Sequence, residues 1–286
     1  MPPISKGYLC VIAAMLIWGS VGVFVRLADQ PAPLIVFVRV TVAFIALGLF
    51  QLALRRPLVL GRHRGRAVAS GAVLALNWLF FFKSLQATTI GNAVLTYYLA
   101  PVMSIVWARL FLGERLERRA AIAAALAAAG IGLMLSGYEF SLSSRDFIGI
   151  LYGLTGAAFY SLVVVMVKTM PDADPSGLAV IQMGVASAMF LPFAAAALPG
   201  ADLSRPVSLA ALLAMGLIHS ALALSLYFTG LKTVKVQHAG ILAYIDPVSA
   251  LVYAYLFFGE ALTPAAAAGG LAIIIASLLV IKGQQA

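Results

Sequence analysis

The sequence is poor in charge. Only 10% of its 286 residues are Asp, Glu, Lys or Arg, whereas 63% are hydrophobic; the mean hydropathy is +1.04. A soluble domain carries about 25% charged residues, so there is too little polar material here to cover a soluble surface. The same shortage excludes disorder, which needs charge without apolar bulk, and a coiled coil, which needs charged heptad faces. Cysteine is nearly absent. Cys10 stands alone in an apolar run, which excludes a disulfide scaffold and reads as an inert core thiol. No nucleotide-binding glycine loop of the Walker type occurs, and the polar segments are too short for an ATPase domain. No His/Cys/Asp spacing suits a metal, so neither metal nor cofactor is expected. Clustered His/Asp or Asp-x-x-Asp groups, which a membrane-embedded transferase would want, are missing too, and no enzyme is expected. The net charge of +9 does not point to nucleic acid, because the bases sit in short loops between apolar runs rather than on one face. What remains is a polytopic membrane protein.

A membrane-spanning helix needs about 20 apolar residues, within roughly 17–25. Ten runs qualify: 7–28, 33–54, 66–84, 89–112, 119–136, 147–169, 176–197, 209–229, 238–258 and 264–281. Short punctuation separates them, such as Arg55-Arg56-Pro57, Ser141 to Asp146 and Pro171 to Pro175. The polar patch Lys83 to Thr89 splits the third run from the fourth, since one rod across both would exceed a hydrocarbon core about 30 Å thick. A β-barrel fits poorly: Ala121 through Ser136 is apolar on both parities and rich in alanine, a strong helix former. The first run lacks a clear small-x-small cleavage site and is expected to stay as the first helix.

With ten spans both termini lie on one side. That side holds thirteen bases, among them Lys6, Arg55, Arg56, Arg62, Arg64 and Lys235; the other holds Arg26, Lys83, Arg145 and Arg205. The bias predicts cytoplasmic termini.

Two segments match at an offset of 146. Asn92 to Pro101, continuing to Phe111-Leu112-Gly113-Glu114, echoes His238 to Pro247, continuing to Phe257-Phe258-Gly259-Glu260. A weaker echo at offset 142 relates Gly7 to Gly149, Trp18 to Tyr160 and Arg26 to Lys168. The expected fold is therefore an all-α integral membrane protein of ten transmembrane helices in two five-helix repeats, residues 1–140 and 141–286. Five is odd, so the second repeat enters from the opposite side, the inverted arrangement of many secondary transporters.

The sequence resembles the drug/metabolite transporter superfamily, specifically bacterial EamA-type members with ten helices. The resemblance covers essentially the whole chain. It rests on Ile17-Trp18-Gly19-Ser20, on Phe37-Val38-Arg39, and above all on Tyr98/Pro101/Gly113-Glu114 and Tyr244/Pro247/Gly259-Glu260. It implies a central cavity lined mainly by helices 1, 3, 4, 6, 8 and 9, closing at either end.

The substrate-site candidates are Arg39, Asp246, Trp18, Asn77, Trp78, Tyr97, Tyr98, Tyr160, His219 and Tyr244. Arg39 sits in the first third of the second run, where a lone guanidinium is costly. It must snorkel, meet a carboxylate or face water; Asp246 and a substrate carboxylate are the partners its depth suggests. Asp246 has Ala100 as its repeat counterpart, so its carboxylate is an addition to the shared skeleton. It would hold a substrate ammonium, pair with Arg39, or carry a coupling proton. His219 is a second proton-carrying candidate, while His238 reads as an interfacial residue. The aromatic and amide groups offer stacking faces and single hydrogen bonds. Pro101 and Pro247 are expected mid-helix as hinges, each removing a hydrogen bond. Glu114 and Glu260 are expected to cap a neighbouring helix or pair with a base. The small residues of runs 5 and 10 suit close helix packing, in a scaffold or a homodimer.

The expected function is secondary transport: export of small organic metabolites such as amino acids across a bacterial inner membrane by alternating access, with a proton as the candidate coupling ion and membrane lipid as the surroundings. The alternatives are an exporter of aromatic cations or an importer of vitamins or nucleosides.

Overall fold

Backbone groups in hydrocarbon must be satisfied within their own segment, which leaves helices as the form these apolar runs can take. The computed structural model describes residues 5–55, 63–136, 142–260 and 262–283. Arg56, Pro57, Arg62 and Ser141 lie outside the described residues, as do residues 137–141 at the expected repeat boundary and the side chain of Arg145.

Ten helical spans follow in order. They are α1 (Lys6–Ala28), α2 (Ala32–Ala53), α3 (Arg64–Ala87), α4 (Ile90–Tyr97 and Ala100–Leu112), α5 (Arg118–Met134), α6 (Ser144–Lys168), α7 (Pro175–Ala197), α8 (Pro206–Leu231), α9 (Val236–Ala243 and Ile245–Phe258) and α10 (Pro264–Gly283). Nine of these segments are long and apolar enough to cross a bilayer. The remaining one, α5, has 17 residues, the lower bound of the spanning range of roughly 17–25. Large apolar side chains face outward along them: Leu52 is 75% exposed and Leu110 66%. Such a belt is unfavourable in water and natural in lipid.

The ends of the spans are set by local chemistry. Ser143 and Asp146 form a reciprocal capping box at the start of α6, and Asp174 accepts the Gly177 N–H at the start of α7; each satisfies donors that the helix cannot. Gly113 and Gly259 close α4 and α9 at φ 68° and 66°, left-handed values where a Cβ is strained.

Several spans are interrupted. α4 breaks at Tyr98–Leu99 and α9 at Tyr244. Pro101 and Pro247 therefore sit in the first turn of a new helix piece and not in mid-helix as expected. The first turn tolerates proline because its N–H would have no intrahelical partner. α1 breaks at Ser20 without proline. α8 contains a π-helical stretch, Met215–Leu222.

The packing follows the repeat. α1 lies on α8 as α6 lies on α3; α2 contacts α8 as α7 contacts α3; α9 contacts α1 as α4 contacts α6. α2 packs on α7, α5 on α10 and α4 on α9. Exchanging the halves reproduces the same set, which is the signature of a twofold relation between the two repeats. The two halves meet across it: Thr41 Oγ1 and Ser187 Oγ are 2.7 Å apart, and the Tyr244 hydroxyl donates to the carbonyl of its repeat mate Tyr98 at 2.8 Å. In α5 and α10, a Cβ on Gly130 would come within 2.7 Å of the Gly269 carbonyl. The small residues of those helices thus serve a contact within this chain.

Candidate functional site

The broken spans converge around a cavity of about 460 Å³. Its wall comes from α1, α3, α4, α6, α8 and α9, with Arg39 added from α2 and Met183 from α7. Tyr97 and Tyr98 both line the cavity at the point where α4 stops between its two pieces.

Arg39 reaches the cavity from α2. Its Nε donates to Ser220 Oγ at 3.1 Å, and its guanidinium lies 5.1 Å from the Trp78 ring centre. The stacking and the single hydrogen bond fix the plane of the group while its terminal nitrogens have no hydrogen-bond or ion-pair partner among the described residues. Asp246 also lines the cavity. It lies in the first turn of the second piece of α9, where the helix dipole favours a negative charge. Arg39 and Asp246 form no ion pair with one another, and the Asp246 carboxylate has no hydrogen-bond partner among the described residues. Burying a charge without a partner costs several kcal/mol, so both groups are held where a ligand or water can reach them.

His219 lies within the π-helical stretch and lines the cavity. Its Nε2 is 2.8 Å from Ser20 Oγ, its ring meets Phe24 edge-on at 4.7 Å, and its carbonyl accepts from Trp18 Nε1 at 2.7 Å. The π turn displaces the helical ladder and makes that carbonyl available. Two hydrogen bonds therefore tie the break in α1 to the irregular turn of α8.

Eight of the ten expected site residues line the cavity: Arg39, Asp246, Trp18, Trp78, Tyr97, Tyr98, Tyr160 and His219. Asn77 and Tyr244 do not. Asn77 is fully buried behind the wall and accepts the Tyr97 hydroxyl at 2.9 Å. Tyr244, 2% exposed, closes the contact between α9 and α4. Sequence reasoning missed Ser220, Phe81, Phe228 and Met15 on the lining. Ser220 follows His219 directly, and no spacing rule singles it out. The wall is otherwise knit by rings: Phe81 to Tyr97 at 4.4 Å, Tyr97 to Tyr160 at 6.2 Å and Trp18 to Tyr227 at 5.2 Å.

Comparison with known proteins decides the family. The pattern of the EamA-like transporter family matches residues 5–136 and again residues 147–282. The chain belongs to the EamA-like transporter family. It is 32% identical to an uncharacterized transporter of Vibrio cholerae, over 91% of this chain and 86% of that one. An uncharacterized transporter of Archaeoglobus fulgidus is 28% identical over 96% and 95%, and the RarD protein of Escherichia coli 27% identical over 89% and 86%. A solved crystal structure superposes with a TM-score of 0.85 at 20% identity, covering 97% of this chain and 96% of that one, which establishes the fold alone. As an EamA-like protein the chain is a multi-pass membrane transporter.

Away from the cavity, Glu114 and Glu260 hold span ends. Glu114 Oε1 accepts the Val236 N–H, capping α9 at 3.2 Å. Glu260 pairs with Arg26 at 2.5 Å, and Arg26 also stacks over Phe258 at 4.5 Å. His238, in the first turn of α9, is buried. It bridges the Tyr8 hydroxyl and Glu117, and Glu117 in turn pairs with Lys235. The Lys235 hydrogen bond, followed by that of His238, holds the Glu117 carboxyl below its ordinary range.

Proposed function

We propose that this transporter exports small zwitterionic metabolites, amino acids first among them, across a bacterial inner membrane by alternating access. One observation carries the reading: a guanidinium and a carboxylate face the same cavity and do not neutralise each other. A zwitterion satisfies both. Its carboxylate takes the open fork of Arg39, which suits bidentate recognition, and its ammonium takes Asp246. The apolar and aromatic remainder of the wall accommodates the side chain. In the absence of substrate, Asp246 or His219 would carry a coupling proton. Pro101 and Pro247 would serve as hinges at the breaks of α4 and α9. The excess of loop bases on one side supports cytoplasmic termini.

A second reading, export of aromatic cations, is favoured by the ring-lined wall around Asp246. Ligands that bind the folded state raise its apparent stability, so a thermal-shift screen of the purified protein in detergent separates the two. Amino acids are expected to stabilise the parent and to lose that effect in both Arg39→Gln and Asp246→Asn. Stabilisation by aromatic cations that survives Arg39→Gln would replace the zwitterion reading with the second one. Counterflow in liposomes with the stabilising amino acid then tests transport itself, and an imposed proton gradient tests coupling.

A further inference from the structure

The repeat predicts ion pairs in duplicate. Arg26 corresponds to Lys168 at offset 142, and Glu260 corresponds to Glu114 at offset 146. The pair at the outer end of α1 and α9, Arg26 with Glu260, is made. Its counterpart at the far end of α6 and α4 is not. α4 packs on α6, yet no ion pair joins Lys168 to Glu114 among the described residues. Glu114 is left with one carboxylate oxygen, Oε2, buried and without a hydrogen-bond partner. That orphan is costly in a packed span end, and Lys168 is the base that the repeat sets opposite it, as Arg26 is set opposite Glu260.

The helices differ in the same sense. α1 is broken at Ser20, so its last piece turns toward the end of α9 that carries Glu260. Its counterpart α6 runs unbroken from Ser144 to Lys168. A groove of about 30 Å³ lies at the Lys168 end, lined by Lys168, Lys232 and Phe228 among others. Phe228 also lines the central cavity, so one side chain stands between the cavity and the unmade end. No comparable feature is needed at the Arg26 end, where the pair is closed.

We propose that Arg26–Glu260 and Lys168–Glu114 are symmetry-related latches that close in turn. In the conformation described, the first is shut and the second is open. When the two halves exchange conformations, α1 straightens and releases Arg26. α6 then breaks near Ser161, the counterpart of Gly19, and swings Lys168 onto Glu114 Oε2. This goes beyond the choice of cargo and holds for a zwitterion or a cation alike.

The test reads conformation and needs no substrate. In a Cys10→Ser background, two reporters are built: Arg26→Cys with Glu260→Cys, and Glu114→Cys with Lys168→Cys. Each is treated with a short bifunctional thiol reagent in membranes, and the rate of cross-linking is followed. Both reporters are expected to react, since both latches close in turn. Adding Glu114→Gln to the first reporter keeps an acceptor for Val236 but removes the charge. Since Glu114 Oε2 is buried, it is expected to raise the 26–260 rate by at least the roughly two- to five-fold that an exposed ion pair gives. Adding Glu260→Gln to the second reporter is expected to raise the 114–168 rate by a similar factor. The swapped variant Arg26→Glu with Glu260→Arg keeps both charges and is expected to return that rate to the parent value, which mere destabilisation would not do. Failure of the 114–168 pair to react in any background, or rates at one end indifferent to charge at the other, would overturn the proposal. Because no ligand is added, neither result depends on the amino-acid reading.

Discussion

Arg39 shows how one side chain is made ready for a ligand by its neighbours. Trp78 supplies a face and Ser220 a single acceptor, and the terminal nitrogens have no hydrogen-bond or ion-pair partner among the described residues. Losing a hydrogen bond to a charged group costs about 1.5 kcal/mol or more. Ser220→Ala is therefore expected to weaken the apparent affinity for a transported amino acid about tenfold and to leave the maximal rate nearly unchanged, as measured by counterflow. A fall in the maximal rate with affinity intact would remove Ser220 from the site. At this scale the sequence was legible in part. Charge inside an apolar run marked Arg39 and Asp246, because neither belongs in hydrocarbon. Asn77 and Trp78 looked equivalent on the page, yet they are consecutive on a continuous helix and only Trp78 faces the cavity. The phase of a span that is apolar on every face is not written in its hydrophobic pattern. Tyr244 was misplaced for a related reason: its repeat mate Tyr98 lines the cavity, while Tyr244 is spent on joining the halves.

At the scale of elements, the breaks decide where the cavity forms. Those in α4 and α9 were foreshadowed by Pro101 and Pro247. Those in α1 and α8 were not, since neither contains a proline near the irregular turn; Ser20 and the π turn are stabilised by each other across space. The span ends make firmer predictions. Gly259→Ala forces a Cβ into φ 66° and is expected to cost roughly 1–2 kcal/mol, read as a lower unfolding midpoint. Gly130→Leu must push α5 away from the Gly269 carbonyl; overpacking of this kind costs about 1–3 kcal/mol, and the same melt detects it. The start of α9 is held by Glu117, whose carboxyl titrates below its ordinary range. A depressed acid stabilises the fold above its unfolded pKa and ceases to do so as pH falls through the folded one. The side chain is 34% exposed, so the contribution is of the order of 0.2–1 kcal/mol. Glu117→Gln is accordingly expected to lower the unfolding midpoint at neutral pH and to match the parent in acid. An offset that persists unchanged into acid would show that the pairing is not what the residue contributes.

For the whole molecule, ten spans and an odd-numbered repeat were readable from run lengths and from the offset of 146, because hydrocarbon permits so few backbone solutions. Orientation is the remaining whole-molecule expectation. A reporter enzyme active only in the cytoplasm, fused after Gly283, is expected to be active, and an inactive fusion would reverse the assignment of sides. The contacts between the halves carry one more consequence. Thr41 of the first half touches Ser187 of the second, and Tyr244 touches its repeat mate Tyr98. In an assembly of two separate subunits this would be called an isologous interface, where a patch meets its own copy. Here the two subunits are joined end to end. A gene cut between α5 and α6 removes one covalent link and none of those meetings, so the two pieces, made together in one cell, should find each other and rebuild the cavity.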